Sequence, residues 1–315
     1  MRAAEQHKLR LQRSSHARIN LRWDVFAGIV EHGCCWLVAA AFLFPLIWMA
    51  GYASLNSFGG IGGLSGEWTL KHWQLALGSN RIWQSIAFST AMSVTATALA
   101  WLFAAVLVAG LRCVRQDVRF QGIVCLLLAL PPLAAGFNAS LWLSRGGLIS
   151  RLAVQLGINQ SIQDFPVLVQ DRFGIALVLT LMSVSLPLPL LYLLRIWKLA
   201  KVDDYIITAC SLGCGPYRAL RTIAFPMLWQ RSGPLLLMLC LWNFGAWEVP
   251  LLLGRKSPRM LSVLIQQSSG QFVLEERPQA FAFAVIYLCL SATAVWYLSG
   301  RQGLRITRRT RGGLE

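Results

Sequence analysis

Residues 199–226 read LAKVDDYIITACSLGCGPYRALRTIAFP, a partly polar stretch wedged between long apolar segments. Asp203 and Asp204 suit a helix N-terminus, where carboxylates meet the positive end of the helix dipole. Ile206, Ala209, Cys210 and Gly213 then recur at i, i+3, i+4 and i+7, one stripe of a helix. Gly213 is placed to end that helix at C′, because glycine adopts positive φ without steric cost. Gly215 and Pro216 can open a second short helix, with proline at its first position where no N–H is missed. That helix runs through Tyr217 and Leu220 and is expected to stop before Pro226, since proline disfavours helical geometry in the residue preceding it. The prediction is helix, glycine turn, helix, lying outside a membrane between two spans.

The composition supports a membrane setting. Hydrophobic residues make up 56% of the chain and charged residues 13%, with a mean hydropathy of +0.55. Soluble domains carry about 25% charged residues, so too few are present to coat a water-facing surface. Six apolar stretches are each near or above the roughly 20 residues needed to cross the hydrocarbon core. They cover about 33–53, 82–110, 120–143, 173–194, 233–254 and 280–300. Pro45, Pro131-Pro132 and Pro187/Pro189 fall inside spans one, three and four and are expected to kink them. Ser89, Thr90, Ser93, Thr95 and Thr97 crowd span two, which suits close helix contact inside a bundle. The fold expected is an all-α, polytopic membrane helix bundle of about six spans. A basic segment precedes it over 1–24, the bundle occupies 25–300, and a basic tail follows over 301–315.

Lys and Arg set the orientation. With the N-terminus inside, 20 of the 29 lie on the cytoplasmic side, among them Arg195, Lys198, Lys201, Arg218, Arg221 and Arg231. Both termini and residues 199–226 therefore face the cytoplasm. The net charge of +16 is mostly topological, so a nucleic-acid partner is excluded. The outer loops, about 54–81, 144–172 and 255–279, include an amphipathic stretch from Trp68 to Leu77 and a short helix over Leu148–Leu156. They serve either as a dock for an external protein or as interfacial anchors through Trp68, Trp73 and Trp83. The eight cysteines lie in apolar or cytoplasmic segments, which argues against a disulfide framework. Cys210 and Cys214 sit four apart, but without further ligands nearby they read as packing residues, and no metal site is expected.

Gly213, nine residues, then Ile223-Ala224-Phe225-Pro226 resembles the cytoplasmic coupling loop of ABC-importer permeases. The pattern of that family reads Glu-Ala-Ala, three residues, Gly, nine residues, Ile-x-Leu-Pro. Here Ile207, Thr208 and Ala209 hold the first three places and Phe225 replaces leucine, so the glycine, spacing and proline match and the glutamate does not. Residues 68–111, 126–137, 145–149 and 244–254 (FGAWEVPLLLG) are similar to segments of the same family, the last to permeases of the iron, polyamine and thiamine group. The resemblance implies one permease subunit of a bacterial inner-membrane importer, forming half of a translocation path. It implies two ATPase subunits, a second permease subunit (identical or paralogous) and an extracytoplasmic solute-binding protein as partners within the lipid bilayer. No phosphate-loop motif of the form G-x-x-x-x-G-K-[ST] occurs in the chain, so ATP hydrolysis is expected on a separate chain, and no cofactor is expected.

On that resemblance, Ile206, Ile207, Ala209, Cys210, Leu212, Gly213, Tyr217, Arg218, Phe225 and Pro226 form the ATPase-coupling element. Tyr217, Ile206 and Leu212 are the candidates for buried contacts in the partner's groove. Gly213→Asp is expected to abolish transport while leaving insertion intact. Asn138, Ser185, Asn243, Trp247 and Glu248 are candidates for the translocation path. Ionisable groups inside membrane spans are costly and usually functional, so Glu248 either faces the path, where it attracts a cationic solute, or pairs with Arg255 or Lys256. Asn138 and Asn243 either line the path or hydrogen-bond between helices. The four histidines are scattered and no catalytic constellation is present. The alternative function, a secondary transporter or channel driven by an ion gradient, calls for several buried charges or an inverted repeat, and neither is evident.

Overall fold

A computed structural model of the chain describes residues 33–59, 68–111, 117–158, 160–270 and 277–311; the basic N-terminal segment and most of the Gly-rich part of the first loop lie outside these. The chain divides into two compact units, Met1–Leu55 and Asn56–Glu315. In the first, the described residues belong to α1 (Gly33–Ser57), a 25-residue apolar helix long enough to span a membrane. The second unit, taken by itself, holds everything that follows.

Its central element is α3 (Asn80–Gly110), preceded by the short α2 (Lys71–Gly78). At 1.5 Å per residue, 31 residues extend about 46 Å, more than a bilayer core requires. Ser85, Ser89, Ser93, Ala96, Thr97, Ala100 and Ala104 form one buried stripe along α3. Val94, Leu99, Leu102, Phe103 and Val106 stay exposed. In lipid, apolar side chains gain nothing by leaving the solvent, so association depends on small residues that let backbones approach. That stripe is where α7 (Ile175–Ser185), α8 (Pro187–Leu199) and α12 (Gly233–Gly245) pack. Of the hydroxyl residues expected to face the bundle, Ser89, Ser93 and Thr97 do so. Thr90 and Thr95 are exposed and bond back to the carbonyls of Ile86 and Ala91 at 2.8 and 2.7 Å. The Ser89 hydroxyl accepts the backbone N–H of Leu261 at 2.7 Å. It thereby supplies a partner for an otherwise orphaned donor at the start of α14 (Leu261–Ser269).

The predicted spans three to five are broken rather than merely kinked. α4 (Val118–Leu127) and the segment that begins with α5 (Pro132–Leu143) meet at 90°. Pro131 and Pro132 have no N–H to continue α4, and its last turn tightens into i→i−3 bonds from Leu128, Ala129 and Leu130. α7 and α8 meet at 45° across Leu186-Pro187. α12 is apolar but only 13 residues long, about 20 Å, and ends at Gly245; α13 (Glu248–Leu253) resumes the path after Ala246 and Trp247. Among the described residues, three helices are therefore long and apolar enough to cross a membrane alone, five if each bent pair counts as one span. The discontinuous α12–α13 stands where the fifth span was expected. Short α6 (Leu148–Gln155) matches the helix expected in the second outer loop, and α15 runs from Arg277 to Arg311. All described elements are helical, and the protein is an all-α polytopic bundle.

Among the described residues, buried side chains gather in three clusters. One joins α3 and α8 through Trp101, Val108, Leu193 and Trp197 to Val202, Ala224 and Leu228 of the hairpin region. A second links Ala76, Ile82, Phe244, Leu264 and Phe283, and the third links Ala96, Leu181, Val249 and Val263. Gly136 of α5 lies so close to α13 that a Cβ there would stand 3.3 Å from Leu252 Cδ1 and 3.5 Å from Val249 Cα. Only a small residue allows that approach.

Candidate functional site

The hairpin forms as predicted in its first half. α9 (Val202–Ser211) carries Asp203 and Asp204 in its first turn. Gly213 adopts φ +87°. The Cys214 N–H donates to the Ala209 carbonyl and the Gly213 N–H to the Cys210 carbonyl, each at 3.0 Å. This is the Schellman pair of bonds, and it places Gly213 at C′. Pro216 opens α10 (Pro216–Ala219) at its N-terminus.

The second half differs from the expectation that the helix stops before Pro226. It continues through a π-helical turn (Leu220–Ala224) into α11 (Phe225–Arg231), with Pro226 in the first turn of α11. In an α-helix the Pro226 ring would press on the Thr222 carbonyl. Widening the turn removes that conflict, and the Phe225 N–H reaches the Leu220 carbonyl five residues back. The proline therefore marks a wide turn inside a helix, not its end.

Burial sorts the candidate coupling residues. Ile207, Cys210, Leu212, Gly213, Tyr217 and Arg218 are exposed, with Leu212 84% and Tyr217 77% accessible. Among the described residues nothing covers Leu212 and Tyr217 at the tip. Ile206 is half-buried against the α3–α8 cluster, so it fastens the hairpin to the bundle rather than facing outward. Ala209 and Pro226 are half-buried, and Phe225 meets the Trp101 ring edge-on at 5.1 Å. The Trp197 indole N–H donates to Asp203 Oδ2 at 3.0 Å, binding the start of α9 to the end of α8.

The candidate path residues separate in the same way. Asn243 is 1% exposed. Its Oδ1 accepts the Ser185 hydroxyl at 2.8 Å, and its Nδ2 donates to Thr97 Oγ1 at 3.1 Å. One amide thus clamps α3, α7 and α12 together. Asn138 lies exposed on α5 and lines neither of the cavities described here. Glu248 and Trp247 line a cavity of about 410 Å³ at the break between α12 and α13, together with Trp242, Asn243 and Tyr287. Ser185 lines a neighbouring cavity of about 370 Å³ that shares Pro132, Val184 and Trp242 with the first.

Non-helical backbone at membrane depth is tolerated where it is buried in protein or lines a water-filled cavity. The break meets this condition. The carbonyl of Ala246, freed by the interruption, accepts the Ser262 hydroxyl at 2.6 Å. Tyr287 stacks on Phe244 with ring centroids 5.4 Å apart, and its hydroxyl packs on Gly245 where a Cβ would come within 2.6 Å. Among the described residues nothing pairs with Glu248. Arg255 instead donates to the Arg172 carbonyl at 2.9 Å and lies over the Phe88 ring. Among the described residues no lysine or arginine lines the cavity. The role of Tyr287 here was invisible in the sequence, because it reaches the site from a span remote in the chain, whereas Thr97 makes the kind of interhelical contact expected of it.

The fold has a known counterpart. The chain is similar to one from the crystal structure of a bacterial ABC transporter involved in the import of the acidic polysaccharide alginate, with a TM-score of 0.56 and 14% identity. The match covers 87% of this chain and 96% of that one. No protein-family model and no curated protein matches the chain by sequence.

Proposed function

We propose that this chain is a permease subunit of an ATP-driven, binding-protein-dependent importer in a bacterial inner membrane, with both termini and the hairpin in the cytoplasm. The observation that carries the reading is the hairpin. A Schellman-capped turn holds an exposed apolar tip on two helices whose inner faces are fastened to the bundle. A loop that merely connects two spans needs neither a rigid frame nor exposed Leu212 and Tyr217; a lever seated in a partner's groove needs both. The partners are two ATPase subunits, a second permease subunit and an extracytoplasmic binding protein. The fold likeness, over 87% of the chain, supports the same reading.

The test is association. Co-expressed in membranes with the ATPase subunit of the same importer, the chain is expected to co-purify with it. Replacing both Leu212 and Tyr217 by Asp is expected to abolish that association without loss of membrane insertion. An ATPase that binds the double variant as well as the parent removes the hairpin from this role.

The solute path runs past the cavity at the α12–α13 break, and its charge favours cationic or neutral solutes over anions. The alginate cargo of the structural neighbour does not transfer to a wall on which the described residues place one unpaired carboxylate and no basic side chain. A unit charge about 5 Å away at an effective dielectric constant near 40 is worth about 1.7 kcal/mol, more than tenfold in a rate or affinity. A cysteine at Trp247 should therefore react with a cationic methanethiosulfonate at least tenfold faster than with an anionic one, after normalising to a free thiol. Adding Glu248→Gln should bring the ratio near one. Equal rates with Glu248 in place exclude it from the accessible wall.

A further inference from the structure

Given the importer reading above, we infer that Trp101 and Ser232 form the joint through which hairpin movement reaches α3, a positioning pair for transport. Trp101 lies on α3, 3% exposed, and its indole N–H donates to Ser232 Oγ at 2.8 Å. Ser232, fully buried between α11 and α12, donates onward to the Leu228 carbonyl at 2.6 Å. The same indole meets Phe225 and Trp229 edge-on, at 5.1 and 4.9 Å between ring centroids. A single side chain of α3 therefore engages both ends of α11.

The two feet of the hairpin are held by different bonds. At the first, Trp197 and Asp203 are six residues apart and hold α9 to the helix that leads into it. At the second, Trp101 and Ser232 are 131 residues apart and hold the hairpin to a different span. Apolar helix surfaces permit shear by small steps. A directional hydrogen bond between buried groups, flanked by two edge-on rings, resists that slip. α3 is also the helix worth gripping. Thr97 lies one turn from Trp101 on the same face and bonds Asn243 in the cavity wall. Hairpin, Ser232, Trp101, Thr97 and Asn243 thus form one unbroken line from the hairpin to the cavity.

The test uses the permease–ATPase complex in nanodiscs, with exposed cysteines replaced by serine and nitroxide pairs placed at two distances. Thr208, exposed on α9 and outside the docking tip, paired with Thr90, reports hairpin against α3; Thr208 with Ser269 reports hairpin against α14. Between the nucleotide-free and vanadate-trapped states the second distance is expected to change, while the first holds within about 2 Å, the scale of a helix shift. In Trp101→Phe and Ser232→Ala the Thr208–Thr90 distance is expected to shift or broaden on trapping although the ATPase still binds, and Ser232→Thr, which keeps the hydroxyl, should restore it. A constant Thr208–Thr90 distance in Trp101→Phe and Ser232→Ala overturns the joint, as does a parent in which that distance itself changes or the Thr208–Ser269 distance does not. Failure of any ATPase to bind overturns the importer reading instead and is recognised before a distance is measured.

Discussion

Gly213→Val is expected to abolish ATPase association while leaving the bundle folded and inserted. The backbone at 213 sits at φ +87°. Left-handed geometry costs an L-residue about 1–2 kcal/mol, and a β-branched side chain is the worst case. A Cβ at this position meets nothing within 4 Å, so the penalty is conformational and confined to the turn. The chain relieves it by leaving the left-handed region, which breaks the bonds from Cys214 to Ala209 and from Gly213 to Cys210. Leu212 and Tyr217 then lose their common presentation. At 1.4 kcal/mol per factor of ten, the conformational term alone weakens binding about tenfold, and the misdirected tip adds to it. Gly213→Asn separates causes, since Asn tolerates positive φ and should bind the ATPase nearly as the parent does. Gly213→Asp shares that tolerance but sets a charge at an apolar tip, and should fail. Pull-down with the ATPase, alongside circular dichroism of the solubilised permease, reads all three. A valine variant that binds like the parent removes the glycine turn from the docking surface.

What the sequence disclosed about this turn was disclosed for a local reason. A C′ glycine depends on its own φ and on carbonyls four or five residues back, all within a single stretch of chain. Helical character and apolar length were legible on the same footing. The wide turn at Leu220–Ala224 was not. A proline preceded by helix-forming residues reads as a stop, whereas in the fold Ala224 and Leu228 pack against α3 and α8 on either side of it. The breaks in spans three to five were half legible. Prolines marked two of them, but the interruption at Ala246-Trp247 follows a plain glycine and is completed by Ser262 from another helix. Polar residues inside spans were the least legible class. Asn138 and Asn243 look alike in the chain, yet one is exposed and the other lies between Thr97 and Ser185. Their difference is entirely tertiary.

Asn243 therefore yields a prediction of a different kind from Glu248. Asn243→Leu deletes both hydrogen bonds of the three-helix clamp. Inside membranes such bonds are worth on average about 0.6 kcal/mol each and at most about 1.7. The hydroxyls left behind can turn to the carbonyls one turn back on their own helices, so neither is stranded. The expected loss is about 1–3 kcal/mol, seen as a thermal unfolding midpoint lowered by several degrees in detergent. Asn243→Asp should cost more, because it introduces a carboxylate where 1% of the side chain is accessible. Glu248 shows the opposite profile. Among the described residues it has no partner to lose, so Glu248→Gln should leave the stability within about 0.5 kcal/mol of the parent while changing the charge preference of the cavity. If Asn243→Leu unfolds at the parent's temperature and instead alters solute or reagent selectivity, the amide belongs to the path and the clamp is incidental. If Glu248→Gln lowers the midpoint by several degrees, the carboxylate is a structural group and the cavity loses its selecting charge.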